Sequence, residues 1–279
     1  MKTLKEALSS KYPAYADKLA ERFRDANGVE MDWDNISKAS LARFAEHLQN
    51  VVARSSARNY CAIVKATLSL YDDVVELPRG WQDALRVKNE DSEQVYLSDE
   101  EIQMLLSYRP ESPNEEYVLT AFLIGCLTGA RHSDYIRFTK DNISKGFLRY
   151  TSQKTRTSAT LPVAPALPRL LGKLATLPEN NMADSTFNRT IRDICRKSGI
   201  SESMRIYRRG KESTEPKWAF VSSHTARRSF ASNLYLRGCD IMSISMMMGH
   251  ASVDMTRGYI VCGLRSLPDN VTAYFNQFH

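Results

Sequence analysis

A break near residue 80 constrains this chain more than any other feature. Leu77-Pro78-Arg79-Gly80 stops a helix, and residues 86–95 (Arg-Val-Lys-Asn-Glu-Asp-Ser-Glu-Gln-Val) are almost wholly polar. Apolar patterning lies on both sides, so each side must bury a core of its own. A chain of 279 residues is long enough for two cores, because domains usually run to ~100–150 residues. The expected organisation is one domain over 1–85, a linker over 86–96 and a second domain over 97–279.

The first part reads as helices with short breaks. Apolar residues at Leu41, Phe44, Ala45 and Leu48 form one helical stripe, and Tyr60, Ile63, Val64, Leu68 and Leu70 a second. Arg54, Arg58 and Lys65 lie on or near the second helix, either as a solvated face or as phosphate contacts. In the second part, Ser98 with Glu101 makes a capping box that opens a new helix. An apolar helix follows over 118–127. Residues 147–152 and 158–163 are short β-prone runs joined by Gln153-Lys154-Thr155-Arg156-Thr157, which predicts a hairpin. A second hairpin is expected over 204–220, around Arg208-Arg209-Gly210-Lys211, with helices resuming at Thr225. The tail from 267 to 279 contains Val271, Tyr274 and Phe275 and reads as a short amphipathic piece. The predicted fold is mainly α with small β-hairpins.

Charge is unevenly spread. Residues 1–95 hold 14 basic and 15 acidic side chains, and residues 96–279 hold 24 and 17. A positive field on the second part attracts polyanions, nucleic acid first among them. No run approaches the ~18–20 apolar residues of a membrane helix, and the N-terminus lacks the apolar core of a signal peptide. The five cysteines (61, 126, 195, 239, 262) are scattered without a CxxC pair. A reduced, cytoplasmic protein is expected, without disulfides, zinc or another cofactor.

Four local patterns carry chemistry. Thr128-Gly129-Ala130-Arg131-His132-Ser133-Asp134 follows the apolar helix. Lys154 sits in the hairpin loop. His224-Thr225-Ala226-Arg227-Arg228 opens a helix and places His224 and Arg227 on one face. Gly249-His250 is followed nine residues later by Tyr259, one of 13 tyrosines. Singly each has a plain structural explanation: Arg131 pairing with Asp134, or Gly249 ending a helix. Together they fit attack on a phosphodiester. Two arginines clamp its charge with planar forks. A tyrosine can form a covalent intermediate, but with a pKa of ~10 it needs a base or a positive field, for which His224 and His250 are candidates. A hairpin lysine can act as general acid.

This set resembles the tyrosine recombinase (phage integrase) family, whose catalytic residues run Arg…Lys…His-x-x-Arg…His…Tyr. The matching positions are Arg131, Lys154, His224, Arg227, His250 and Tyr259, with Asp134 as the acidic residue after the first arginine. The phrases Gln153-Lys154-Thr155, Ser223 to Ala231 and Met248-Gly249-His250 carry the match, which covers about 97–262. One departure is Met255-Thr256, where the family has two threonines before the nucleophile. The resemblance implies a helical core-binding domain over 1–85 and a mixed, mostly helical catalytic domain over 97–279, in the two-domain form without an arm-binding domain. It implies that the two domains close on double-stranded DNA at a recombination site. Arg131, Arg227 and His250 then hold the scissile phosphate, and Tyr259 attacks it to leave a 3′-phosphotyrosine. Lys154 protonates the leaving 5′ oxygen, His224 assists proton removal, and Asp134 orients the active-site arginine and histidine. Arg54, Arg58, Lys65, Arg156 and Arg228 are candidate DNA contacts. A homotetramer on DNA follows, with accessory DNA-bending proteins as candidate further partners and the tail as a candidate dock between protomers. Two other functions are compatible with parts of the pattern: relaxation of DNA by a type IB topoisomerase, and non-catalytic DNA binding on this scaffold.

Overall fold

The computed structural model describes residues 2–88, 94–178, 182–208 and 211–261, and the chain divides into two units, Met1–Ser92 and Glu93–His279. The first unit is helical: α1 (Leu4–Lys11), α2 (Pro13–Asn27), α3 (Lys38–Val51), α4 (Arg54–Leu68) and the single turn α5 (Trp81–Ala84). Polar caps start α1 and α3: Thr3 and Ser37 each accept from the amide three residues on. The stripe 41/44/45/48 and residues Tyr60, Ile63, Val64 and Leu68 are buried together with Leu8, Leu19, Phe23 and Trp81. Leu70 departs from its expected place and is 57% exposed. Helix α4 ends at Leu68, where the chain tightens into three-residue turns (Leu70 N to Thr67 O, 3.1 Å; Tyr71 N to Leu68 O, 3.0 Å), so Leu70 no longer follows the buried face. The helix therefore stops well before Leu77-Pro78-Arg79-Gly80, and Gly80 instead precedes α5.

The second unit is built around α7 (Pro113–Thr128), which is buried on all sides and packs against α6 (Asp99–Ser107), α9 (Leu167–Thr176), α10 (Asp184–Lys197) and α11 (Ser223–Leu236). The Ser98–Glu101 capping box opens α6 as expected. The turn α8 (His132–Tyr135) leads to an antiparallel sheet of β1 (Ile143–Ser144), β2 (Phe147–Thr151) and β3 (Ser158–Pro162). The β2–β3 register pairs Leu148 with Leu161 and Tyr150 with Ala159. All four side chains are buried and their strand neighbours exposed, so the sheet has one dry face. The second expected hairpin is β4 (Ser203–Arg208) with β5 (Lys211–Pro216). Helix α11 begins at Ser223, two residues before the expected Thr225, because Ser222 caps it. Ser229 Oγ on α11 accepts from Leu97 N (2.8 Å) and Asn233 Nδ2 donates to Leu97 O (3.0 Å), which ties the start of this unit to that helix. The described chain closes with α12 (Ile241–Met248) and α13 (Val253–Arg257). The expected tail piece over 267–279 and Cys262 lie outside the described residues. Among the described residues, no helix is long and apolar enough to cross a membrane, and no three His, Cys, Asp or Glu side chains gather as a metal site.

Candidate active site

Helix α11 presents His224, Arg227 and Arg228 from its first turns. Its entry is fixed by the Ser222–Thr225 capping box and by Ser223 N donating to Asn188 Oδ1 (2.8 Å). Arg227 is only 1% exposed. Its guanidinium donates to Gly129 O, to Met248 O (2.9 Å) and to His250 Nε2. Gly129 ends α7 at φ +62°, and a side chain there would collide with Phe230 of α11, so the carbonyl can reach Arg227 only with glycine at this position. No carboxylate pairs with Arg227 among the described residues, and its Nε is buried without a partner. The Tyr150 hydroxyl is buried beside Arg227, within reach of a side-chain hydrogen bond to it. Burial pushes the Tyr150 pKa up, against the pull of the Arg227 charge.

His250 follows Gly249, the left-handed cap of α12. Its Nδ1 lies 2.8 Å from Thr256 Oγ1. Because Arg227 donates to Nε2, the proton belongs on Nδ1, pointing at Thr256. Burial, then Arg227 and Arg131, bring the His250 pKa down to about 4, so the ring is neutral at physiological pH. Tyr259 stacks on His250 (centroids 5.2 Å apart, 27° between planes), and the Arg227 guanidinium carbon lies 5.1 Å from the Tyr259 ring centre. The Met255-Thr256 departure is structurally mild. Thr256 is fully buried and holds His250, while Met255 points outward.

Arg131 caps α8 and does not pair with Asp134. Its Nη1 donates to Ser152 Oγ (3.0 Å) and Thr155 Oγ1 (3.4 Å). Asp134 uses both oxygens on the hairpin rather than on a histidine, accepting from Ser152 Oγ (2.9 Å) and Gln153 N (3.0 Å). It reaches Arg131 only through Ser152. The hairpin is closed by Ser152 N to Thr157 O and Arg156 N to Ser152 O, both 2.9 Å, with Arg156 in the left-handed region at φ +57°. Lys154 is exposed at its tip. His224 keeps an exposed face, and burial of its other side with Arg228 and Arg227 nearby lowers its pKa. Arg228 is half-buried with its Nε unpartnered. Arg54, Arg58 and Lys65 share one stripe of α4 in the first unit; Arg54 Nη2 reaches Gln49 Oε1 (3.5 Å) and Lys65 Nζ reaches Gln82 O (3.4 Å).

The structure thus brings Arg227, His250 and Tyr259 into contact, with Arg131 close enough to act on the charge of His250. Lys154 is carried on the loop whose neighbours touch Arg131. Residues that sequence reasoning missed are Ser152, Thr155, Thr157 and Thr256, whose types are too common to stand out, and His132. His132 Nδ1 meets Asp184 Oδ1 (3.1 Å), and its ring packs on Phe187 (4.5 Å) beside Arg131.

The model of the phage integrase family matches residues 95–262. The putative integrase of Pseudomonas phage Pf1 is 25% identical over 175 residues, covering 62% of this chain and 47% of that protein. The chain spans about half the length of the curated relatives it matches. Among solved structures, the Tn1549 transposon integrase in complex with a circular intermediate DNA is similar over 100% of both chains, at 13% identity and TM-score 0.70. A lambda integrase tetramer bound to a Holliday junction is similar over 92% of this chain and 75% of that one, at 16% identity and TM-score 0.65. These structural likenesses establish a shared fold. With the family model matching more than half of its residues, the chain belongs to the phage integrase family.

Proposed function

We propose that this protein is a site-specific DNA recombinase that cuts and rejoins strands through a 3′-phosphotyrosyl intermediate, with Tyr259 as nucleophile. One observation carries the reading. Arg227 is a buried cation whose partners are two carbonyls, a neutral imidazole and the neighbouring Tyr150 hydroxyl, with no carboxylate among the described residues. An uncompensated buried charge is costly, and a phosphodiester is the anion that compensates it here. Arg131, half-buried and bonded to hydroxyls among the described residues, is the second arm of that clamp. Tyr259 lies against Arg227 and His250, where an arriving phosphate meets its hydroxyl.

In this mechanism Arg131 and Arg227 hold the scissile phosphate, and His250 supports them by its contact with Arg227. Tyr259 Oη attacks phosphorus, and His224 assists removal of its proton. Lys154 gives a proton to the departing 5′ oxygen. A 5′ hydroxyl from another strand later reverses these steps and completes exchange. Bond energy stays in the phosphotyrosine, so the exchange requires no nucleotide cofactor. Family membership supports strand exchange over simple relaxation or binding without cleavage. Residues 1–85 serve as the DNA core-binding part, joined by 86–96 to a catalytic part over 97–279. The α4 stripe (Arg54, Arg58, Lys65), with Arg156 and Arg228, contributes phosphate contacts whose affinity falls with salt. Strand exchange between two duplexes needs four protomers, and the DNA-bound lambda integrase tetramer supports that assembly by analogy of fold. Accessory DNA-bending proteins are further candidate partners.

The test is a denaturing gel of protein mixed with nicked duplexes drawn from DNA flanking its coding sequence. Wild type gives a covalent protein–DNA band and Tyr259→Phe gives none. A band that persists in the variant assigns the nucleophile elsewhere.

A further inference from the structure

The loop that carries Lys154 is held by hydroxyl groups at both ends, and their protons can be assigned. Thr157 Oγ1 donates to Gly249 O (2.7 Å), which uses its only proton. The 2.7 Å contact between Thr155 and Thr157 must then run from the Thr155 hydroxyl to Thr157 Oγ1. Thr155 Oγ1 in turn accepts from Arg131 Nη1 (3.4 Å). An unbroken relay therefore runs from Arg131, through Thr155 and Thr157, to the carbonyl that precedes His250. On the other side Ser152, fully buried, accepts from Arg131 and donates to Asp134. The close approach is built in from the far side as well: a side chain at Gly249 would sit 3.3 Å from Thr157 Oγ1 and 3.4 Å from Ala159 Cβ. Bonds in such a chain polarise one another.

We infer that Ser152, Thr155 and Thr157 are positioning residues that clamp the β2–β3 hairpin between Arg131 and the Gly249-His250 cap, and so set the place from which Lys154 delivers its proton. The inference rests on the reading of Lys154 as general acid. In the step concerned, the bond from phosphorus to Tyr259 Oη forms as the hydroxyl proton leaves toward His224, the bond from phosphorus to O5′ breaks, and the Lys154 proton goes to O5′. The clamp contributes no atom to the reaction. Thr157 matters most, because it alone ties the relay to the second catalytic segment.

The test compares an ordinary phosphodiester with a substrate whose bridging 5′ oxygen is replaced by sulfur. A thiolate leaves without a proton, since thiols ionise near pH ~8.5. Full-length Thr157→Val keeps the side-chain volume and deletes the donor. On the ordinary substrate its single-turnover cleavage is expected to fall about 10–100-fold, part of the roughly 10²–10⁴-fold that a general acid supplies. On the sulfur substrate it should return to within about threefold of wild type, and Thr157→Ser should behave as wild type on both. Equal slowing on both substrates would make the role of Thr157 merely structural and overturn the clamp, as would wild-type rates on both. Lys154→Ala serves as the control. If Lys154→Ala is not rescued by sulfur, the general-acid reading fails and takes the clamp with it. If it is rescued while Thr157→Val is not, the clamp alone is wrong.

Discussion

Helix α11 holds Arg227 from within the core, against carbonyls at the ends of α7 and α12, whereas the β2–β3 hairpin is kept in place by the tips of small hydroxyl side chains. The first arrangement uses acceptors that every residue type provides. No substitution at Met248 can remove its carbonyl, while Gly129 must stay glycine to keep its left-handed backbone and to leave room for Phe230. The second depends on three side chains, each of which one base change can delete. On the proposed reading the two arrangements divide the labour of one site. Phosphate holding is built on packing, and proton delivery is built on a loop whose position side chains can retune. A group that must hold the same charge in ground and transition states benefits from rigidity, whereas a proton donor must only arrive at one oxygen at one moment.

The largest effect that tests this contrast lies at the two arginines. Arg227→Lys is expected to lower single-turnover cleavage about 10³-fold or more, because one ammonium cannot reach three acceptors on two segments and a phosphate at once. Arg131→Lys should lose about 10–100-fold, since its hydroxyl partners can turn to follow a shorter donor. Equal losses would break the contrast between backbone-held and side-chain-held cations. A second test uses acid. His250 is neutral in the fold with a pKa near 4, against ~6.5 in an unfolded chain. Between these values the unfolded state binds more protons, so the stability that His250 contributes is fully present above pH ~6.5 and is lost as pH falls toward 4. The melting temperature should drop across that window, and His250→Gln should flatten part of the drop. An unchanged slope would mean that burial and the neighbouring arginines do not hold His250 neutral. The smallest effect concerns the junction of the two arrangements. Gly249→Ala puts a side chain at φ +63° and 3.3 Å from Thr157 Oγ1, and should cost about 1–2 kcal/mol in denaturant unfolding. A neutral result would show that the hairpin can withdraw without loss, and would weaken the case for a tight clamp.

Much of this molecule was legible in its residues because the relevant signals are local or stereotyped. The stripe 41/44/45/48 and the Ser98–Glu101 box needed only helical periodicity and capping chemistry, and the alternation across 147–162 needed only the pleat of a strand. The second stripe overran by one position, because a three-residue tightening after Leu68 leaves no mark in an apolar pattern. Arg131, His224, Arg227, His250 and Tyr259 stood out through spacing and residue type together. The clamp did not. Serine and threonine are scattered throughout the chain, and the contact between Thr157 and Gly249 joins positions 92 residues apart. Asp134 was picked out as an orienting group for the active-site arginine and histidine, but its partners Ser152 and Gln153 were not, because Ser152 comes between it and Arg131 only after the hairpin folds back.

Both backbone groups of Leu97 are satisfied by Ser229 and Asn233 of α11, directly after the turns of that helix that carry His224, Arg227 and Arg228. In mechanical terms the polypeptide entering this unit is strapped at two points to the lever that bears the buried cation. A pull on that strand loads Ser229 and Asn233 directly, so tension arriving there is felt along the same rigid rod that points Arg227 at Tyr259.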